Sequence, residues 1–133
     1  MGNVIHHHRP AKDITCRADS AIVAGTFVVL AGAEVDGLPL VRTAGAGARP
    51  YGVAISDQAR GENVLVTRGG TLPILAGGSI TAGDDLSSDA SGRAVRATAV
   101  DFDNRRAATF VAAQATTTAS SAEMVRGTLT LGA

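Results

Sequence analysis

Apolar positions along this chain recur with a period of two. Val64 and Val66 share one face of Asn63–Arg68, and Ile14 and Cys16 share one face of Asp13–Arg17. Alternation of this kind marks strands with one covered face. The run Thr26–Ala31 (TFVVLA) is β-branched and apolar, bracketed by Gly25 and Gly32. The pair Asp36-Gly37 then precedes Leu38–Thr43, which predicts a hairpin closed by a two-residue turn. Pro39 predicts an edge position for its return arm. Further strands are predicted at Tyr51–Ile55, Asn63–Arg68, Thr71–Leu75, Arg93–Val100, Ala107–Ala112 and Met124–Leu131. Turn signals every ~8–12 residues indicate a sandwich or barrel. No window combines a helical period with caps, and only Ala107–Ala115 has the propensity for a short helical turn. The expected fold is all-β, a small Gly/Ala-rich β-barrel or β-sandwich over residues 13–133, preceded by an extended N-terminal arm, 1–12, that carries Pro10 and no core pattern.

The chain also echoes itself. Ile22-Val23-Ala24-Gly25 returns as Ile80-Thr81-Ala82-Gly83, with Val28 and Leu86 three residues after each Gly. Gly61-Glu62-Asn63-Val64 returns as Ala122-Glu123-Met124-Val125. The offsets, 58 and 61 residues, place a small insertion in the second half. Either the chain is an internal pseudo-duplication, two β units packed together, or Ala-Gly and Gly-Glu turns recur by chance in a Gly/Ala-rich sequence.

Composition narrows the function. Of 133 residues 45% are hydrophobic but only 3% aromatic, so the apolar mass is mostly Ala and Val. Such side chains bury little area each, which predicts a thin core and burial gained by oligomerisation or docking. Twelve basic and twelve acidic residues cancel, which argues against nucleic-acid binding through bulk charge. No run reaches the ~18–20 apolar residues of a membrane helix, and His6-His7-His8-Arg9-Pro10 lies where a secretion signal would carry its apolar region. One cysteine excludes an intrachain disulfide framework.

Catalytic chemistry is scarce. Lys12, the only lysine, lies outside any Gly-rich loop, so phosphate binding by a P-loop is excluded. There is no GxSxG and no CxxC. Three contiguous His on an arm point alternately and cannot close a tetrahedral metal site alone. Cys16, alternating with Ile14, reads as a core thiol. Asp84, Asp85 and Asp89, with Asp101 and Asp103, are the carboxylate clusters, yet Gly83-Asp84-Asp85 and Asp89-Ala90-Ser91-Gly92 are ordinary turn sequences. The expectation is no catalytic residue, no metal ligand and no cofactor.

Three stretches carry a family resemblance. Tyr51-Gly-Val-Ala-Ile, continuing through Gly61-Glu-Asn-Val-Leu-Val-Thr-Arg-Gly-Gly, is the first; Ile80-Thr-Ala-Gly-Asp-Asp-Leu with Asp89-Ala-Ser-Gly-Arg-Ala-Val is the second. The third joins the opening, Ile14-Thr-Cys and Val23-Ala-Gly-Thr-Phe-Val, to the closing Ala122-Glu-Met-Val-Arg-Gly-Thr-Leu. Together they resemble the capsid decoration (cement) proteins of tailed phages, of the actinobacteriophage type. These motifs are turn-and-strand patterns spanning nearly the whole chain.

The resemblance implies a structural virion protein that is not an enzyme. Its partner would be the major capsid protein on the exterior of an icosahedral head assembled in the bacterial host cytoplasm. A homo-oligomer, most naturally a trimer, is expected, with no nucleic acid and no membrane. Candidate capsid contacts are Asn3, Val4, Ile5, His6, His7, His8 and Arg9 on the arm, and Arg105 and Arg106, since Arg is enriched at interfaces. A displayed carbohydrate-binding or adhesin-type module is the alternative, against which stands the poor supply of stacking aromatics. A small β-fold enzyme would need a convergent acid–base constellation that the sequence does not display.

Overall fold

The computed structural model describes residues 13–97 and 111–129. Ten strands run through them: β1 (Asp13–Ala18), β2 (Phe27–Val35), β3 (Leu38–Thr43), β4 (Gly52–Ala54), β5 (Asn63–Thr67), β6 (Thr71–Leu75), β7 (Asp85–Ser88), β8 (Ala94–Arg96), β9 (Ala113–Ala115) and β10 (Met124–Leu129). No helix occurs among the described residues.

The first five strands close a barrel in the order β1-β3-β2-β4-β5. Its seam pairs β1 with β5 in antiparallel register, Cys16 opposite Val64 and Ile14 opposite Val66. The alternation predicted at both strands is therefore what aims Cys16, Val64 and Val66 into the barrel, where all three are buried. The β2–β3 hairpin turns at Asp36 (φ 53°) and Gly37 (φ 79°), with Val35 opposite Leu38. Two successive positive φ values define the primed turn whose twist suits a two-residue hairpin.

The second five strands form a sheet in the order β6-β10-β9-β7-β8. It repeats the first. Cys16 opposite Val64 becomes Ile74 opposite Val125; Phe27 opposite Val53 becomes Asp85 opposite Gln114; Val29 opposite Arg42 becomes Ser87 opposite Val95. The parallel pair Ala18–Val41 that helps close the first barrel returns as a parallel bridge between Ala76 and Ala94. The irregular segments match as well. Ile22 bridges Gln58 as Ile80 bridges Ala119. The Glu62 carboxylate accepts the Ala59 N–H at 2.8 Å, and Glu123 accepts the Ser120 N–H at 2.7 Å. Chance recurrence of turns cannot reproduce a whole pairing register, so the echo is a structural duplication. The insertion is not single. The offset is 58 from Ala18 to Ala76, 53 from Val41 to Ala94 and 61 from Val64 to Val125. The second hairpin is shortened, and the link from β8 to β9 is lengthened by more.

Equivalent interiors are filled by different means. The first barrel holds Cys16, Val28, Val41, Val64 and Val66. In the second, Ile74 and Leu86 replace Cys16 and Val28, and Gly127 replaces Val66. A Cβ on Gly127 would lie 3.2 Å from the Ile74 Cδ1 and 3.4 Å from the Leu86 Cδ1. The two larger side chains occupy the volume that the glycine vacates. The second cluster also takes in Phe27, Ala44 and Val53 from the first barrel. Phe27 donates its N–H to the Gly92 carbonyl at 2.7 Å, and Gly47 donates to that of Ser88 at 2.9 Å. Repeat one thus covers its outer β2/β4 face with repeat two.

Several expectations need correction. β3 is no edge strand, because it lies between β1 and β2. Pro39 is tolerated there because the β1 pairing begins only at Leu40 and the β2 register shifts between Gly32 and Val35. Of the strand expected at Ala107–Ala112, 107–110 lie outside the described residues and 111–112 lead into β9, Ala113–Ala115, which also removes the described end of the helical alternative. The strand expected over Arg93–Val100 is Ala94–Arg96, and 98–100 are outside. Alternation does not predict β7, Asp85–Ser88. The arm, 1–12, also lies outside the described residues.

Candidate functional site

Two concave surfaces stand out among the described residues. A groove of about 380 Å³ runs between the repeats, lined by Gly25, Ile55, Leu72, Pro73 and Met124 among others. Ile55, Met124 and neighbouring Val23 are exposed apolar side chains at 45%, 51% and 52%. Gly25 permits this close approach, since a Cβ there would come within 3.0 Å of the Met124 Cε.

The other surface, about 500 Å³, lies on the first barrel and is lined by Val29, Leu30, Arg49, Pro50, Tyr51 and Arg68. Tyr51 enters β4 and donates its N–H to the Val28 carbonyl at 2.7 Å. Arg68 leaves β5, and its Nε donates to the Tyr51 carbonyl at 2.7 Å. The same guanidinium lies 4.7 Å from the centre of the Tyr51 ring, a cation–π contact. Burial pushes the Tyr51 hydroxyl above its ordinary pKa; Cys16 and Glu34 add to that, and Arg68 opposes it.

The acidic turn residues hold backbone. The Asp84 carboxylate accepts the Thr81 N–H at 2.9 Å. Asp89 accepts N–H bonds from Ser91 and Arg93 at 2.8 and 2.9 Å and pairs with the Arg93 side chain at 3.3 Å. Asp85 opens β7 opposite Gln114. No group of three or more His, Cys, Asp or Glu is placed to hold a metal among the described residues. Cys16 is fully buried, and burial pushes its thiol up to about 11, so it stays protonated at neutral pH. Asn3, Val4, Ile5, His6, His7, His8, Arg9, Asp101, Asp103, Arg105 and Arg106 lie outside the described residues, so their placement is not part of this geometry. No pattern in the sequence joins Tyr51 to Arg68. The available signal was the lone tyrosine of the chain, followed one strand pairing later by an arginine.

Residues 5–129 match the phage cement protein family. The chain belongs to that family. This cement protein is a capsid-associated structural protein of phage, as the resemblance of its three stretches implied. No curated protein matches the chain. Among solved structures it is similar to the head fiber gp8.5 N base of bacteriophage phi29, with a TM-score of 0.70 and 22% identity. That match covers 90% of this chain and 94% of the other. At this identity the likeness concerns the fold, and it extends over both repeats.

Proposed function

We propose that this cement protein binds the outer surface of an icosahedral head and bridges neighbouring major capsid subunits. Family membership over residues 5–129 carries the reading. The physical chemistry supports it. The turn carboxylates of Asp84 and Asp89 are spent on backbone N–H groups, the one thiol is buried, and concave apolar surface remains open among the described residues. Many copies on a repeating shell would turn modest contacts into a stable lattice against the pressure of packaged DNA. The arm, through Asn3–Arg9, and Arg105 with Arg106 are proposed contacts to the shell, the arm by strand addition or groove packing. A homotrimer at three-fold or quasi-three-fold points is the proposed assembly state; native mass spectrometry of the free protein reads it directly.

Co-sedimentation of the purified protein with heads that lack it tests the role. The full-length chain is expected to pellet with heads at saturating, stoichiometric occupancy. Deletion of residues 2–10 is expected to leave the fold intact and weaken binding. Absence of binding by the full-length chain would contradict the role, and unchanged occupancy after the deletion would remove the arm from the contact.

A further inference from the structure

We infer that the Tyr51–Arg68 pocket docks an acidic side chain, Asp or Glu, presented by the capsid protein beside an apolar residue. This rests on the capsid-binding reading and gives it a specific contact.

The duplication itself singles the pocket out. Tyr51 and Ala112 are equivalent: each donates its N–H to the matching β-strand carbonyl, Val28 at 2.7 Å and Leu86 at 2.8 Å. Arg68 follows Thr67 as Leu129 follows Thr128, and these threonines pair with Val53 and Gln114 at matching positions. In repeat two both positions are core: Ala112 is fully buried and Leu129 nearly so. The scaffold therefore accepts small or aliphatic residues at this place. Repeat one instead carries an aromatic ring, half-buried against the first barrel's core, and a guanidinium at the wall of the pocket, so the fold does not require the arginine.

The chemistry of the wall selects the ligand. The Arg68 Nε is used by the Tyr51 carbonyl, which fixes the guanidinium over the ring. Its Nη groups have no partner among the described residues, and a planar pair of such donors matches a carboxylate. Arg49 lines the same pocket, and none of the described residues that line it is acidic. Leu30, 53% exposed, and Val29 supply an apolar flank for the residue next to the carboxylate. Preorganised Tyr and Arg beside a hydrophobic rim are the residues that dominate binding energy in protein interfaces.

The test uses heads that lack the protein, with wild type, Arg68→Leu, Arg68→Lys and Leu30→Glu chains titrated at several salt concentrations. Arg68→Leu installs the residue that repeat two carries at the same place, so it is expected to fold, as thermal unfolding verifies. It should bind heads at least about tenfold more weakly, with a shallower salt dependence. Arg68→Lys, keeping charge without the fork, should fall between. Leu30→Glu places a repelling carboxylate at the exposed rim, away from any folding role, and should also weaken binding. Wild-type binding with Arg68→Leu and Leu30→Glu chains indistinguishable from it overturns the pocket while leaving the capsid role standing. Absence of wild-type binding overturns both.

Discussion

Ala122 has a φ of 71°, a left-handed value that costs an L-residue roughly 1–2 kcal/mol. Its counterpart Gly61, at φ 88°, meets the same need without a Cβ. Their N–H groups do equivalent work, each donating at 2.8 Å to an alanine carbonyl at the end of the facing strand, that of Ala76 just past β6 and that of Ala18 closing β1. Ala122→Gly is expected to raise stability by about 0.5 kcal/mol, strain relief outweighing the added chain entropy, and Gly61→Ala to lower it by about 1 kcal/mol. Urea denaturation midpoints measure both; a less stable Ala122→Gly would contradict the strain. Cys16 gives a pH test. Its pKa rises from an ordinary 9.0 in the unfolded chain to about 11 when buried. A raised folded value means its stabilising contribution is full below pH 9.0 and is lost as pH climbs through about 11. The stability difference between wild type and Cys16→Ala should be flat to about pH 8 and shrink above it. A difference constant up to pH 11 would place the thiol in contact with water.

At the scale of strands, the two repeats solve one packing problem with different volumes. Gly127 faces Ile74 and Leu86 where Val66 faces Cys16 and Val28. Gly127→Ala should therefore cost about 1–3 kcal/mol by overpacking, and adding Ile74→Val should recover much of that loss. Additive losses in the double variant would mean that the two positions do not share a cavity. Which strands were legible follows the same physics. Val64, Val66, Ile14 and Cys16 alternate because each strand has one barrel face and one wet face. The Asp36-Gly37 turn is legible because only residues tolerant of positive φ fit it. β7 is Asp-Leu-Ser-Ser and carries no alternation, because Ser87 and Ser88 are both buried. The first repeat packs on this strand, and Gly47 hydrogen-bonds its last carbonyl. That burial comes from tertiary contact, which no local pattern records. Phe27 hides its role for the same reason. It lies on the outer face of its barrel yet is fully buried, since repeat two covers it.

Across the whole molecule the duplication is asymmetric. Phe27 and Val53 of the first repeat sit in the core that both repeats share, whereas the equivalent Asp85 and Gln114 are exposed. Repeat two covers repeat one, while its own matching face carries polar Asp85 and Gln114. The echo in sequence is visible because the turns of both repeats need the same Gly and Glu residues, but only the shared pairing register separates duplication from chance recurrence. The Tyr51–Arg68 pocket was illegible for the opposite reason: it exists only where the repeats differ, and the difference becomes visible once pairing register fixes which residues correspond. The proposed role is that the barrel and its companion sheet together bridge subunits on the outside of a phage head. An electron cryomicroscopy map of heads with and without the protein tests it most directly. A cement role predicts difference density on the outer shell, each copy touching at least two capsid subunits, with the first barrel's Tyr51–Arg68 side against the shell. Difference density confined to the head interior or the tail, or none at all, would contradict it.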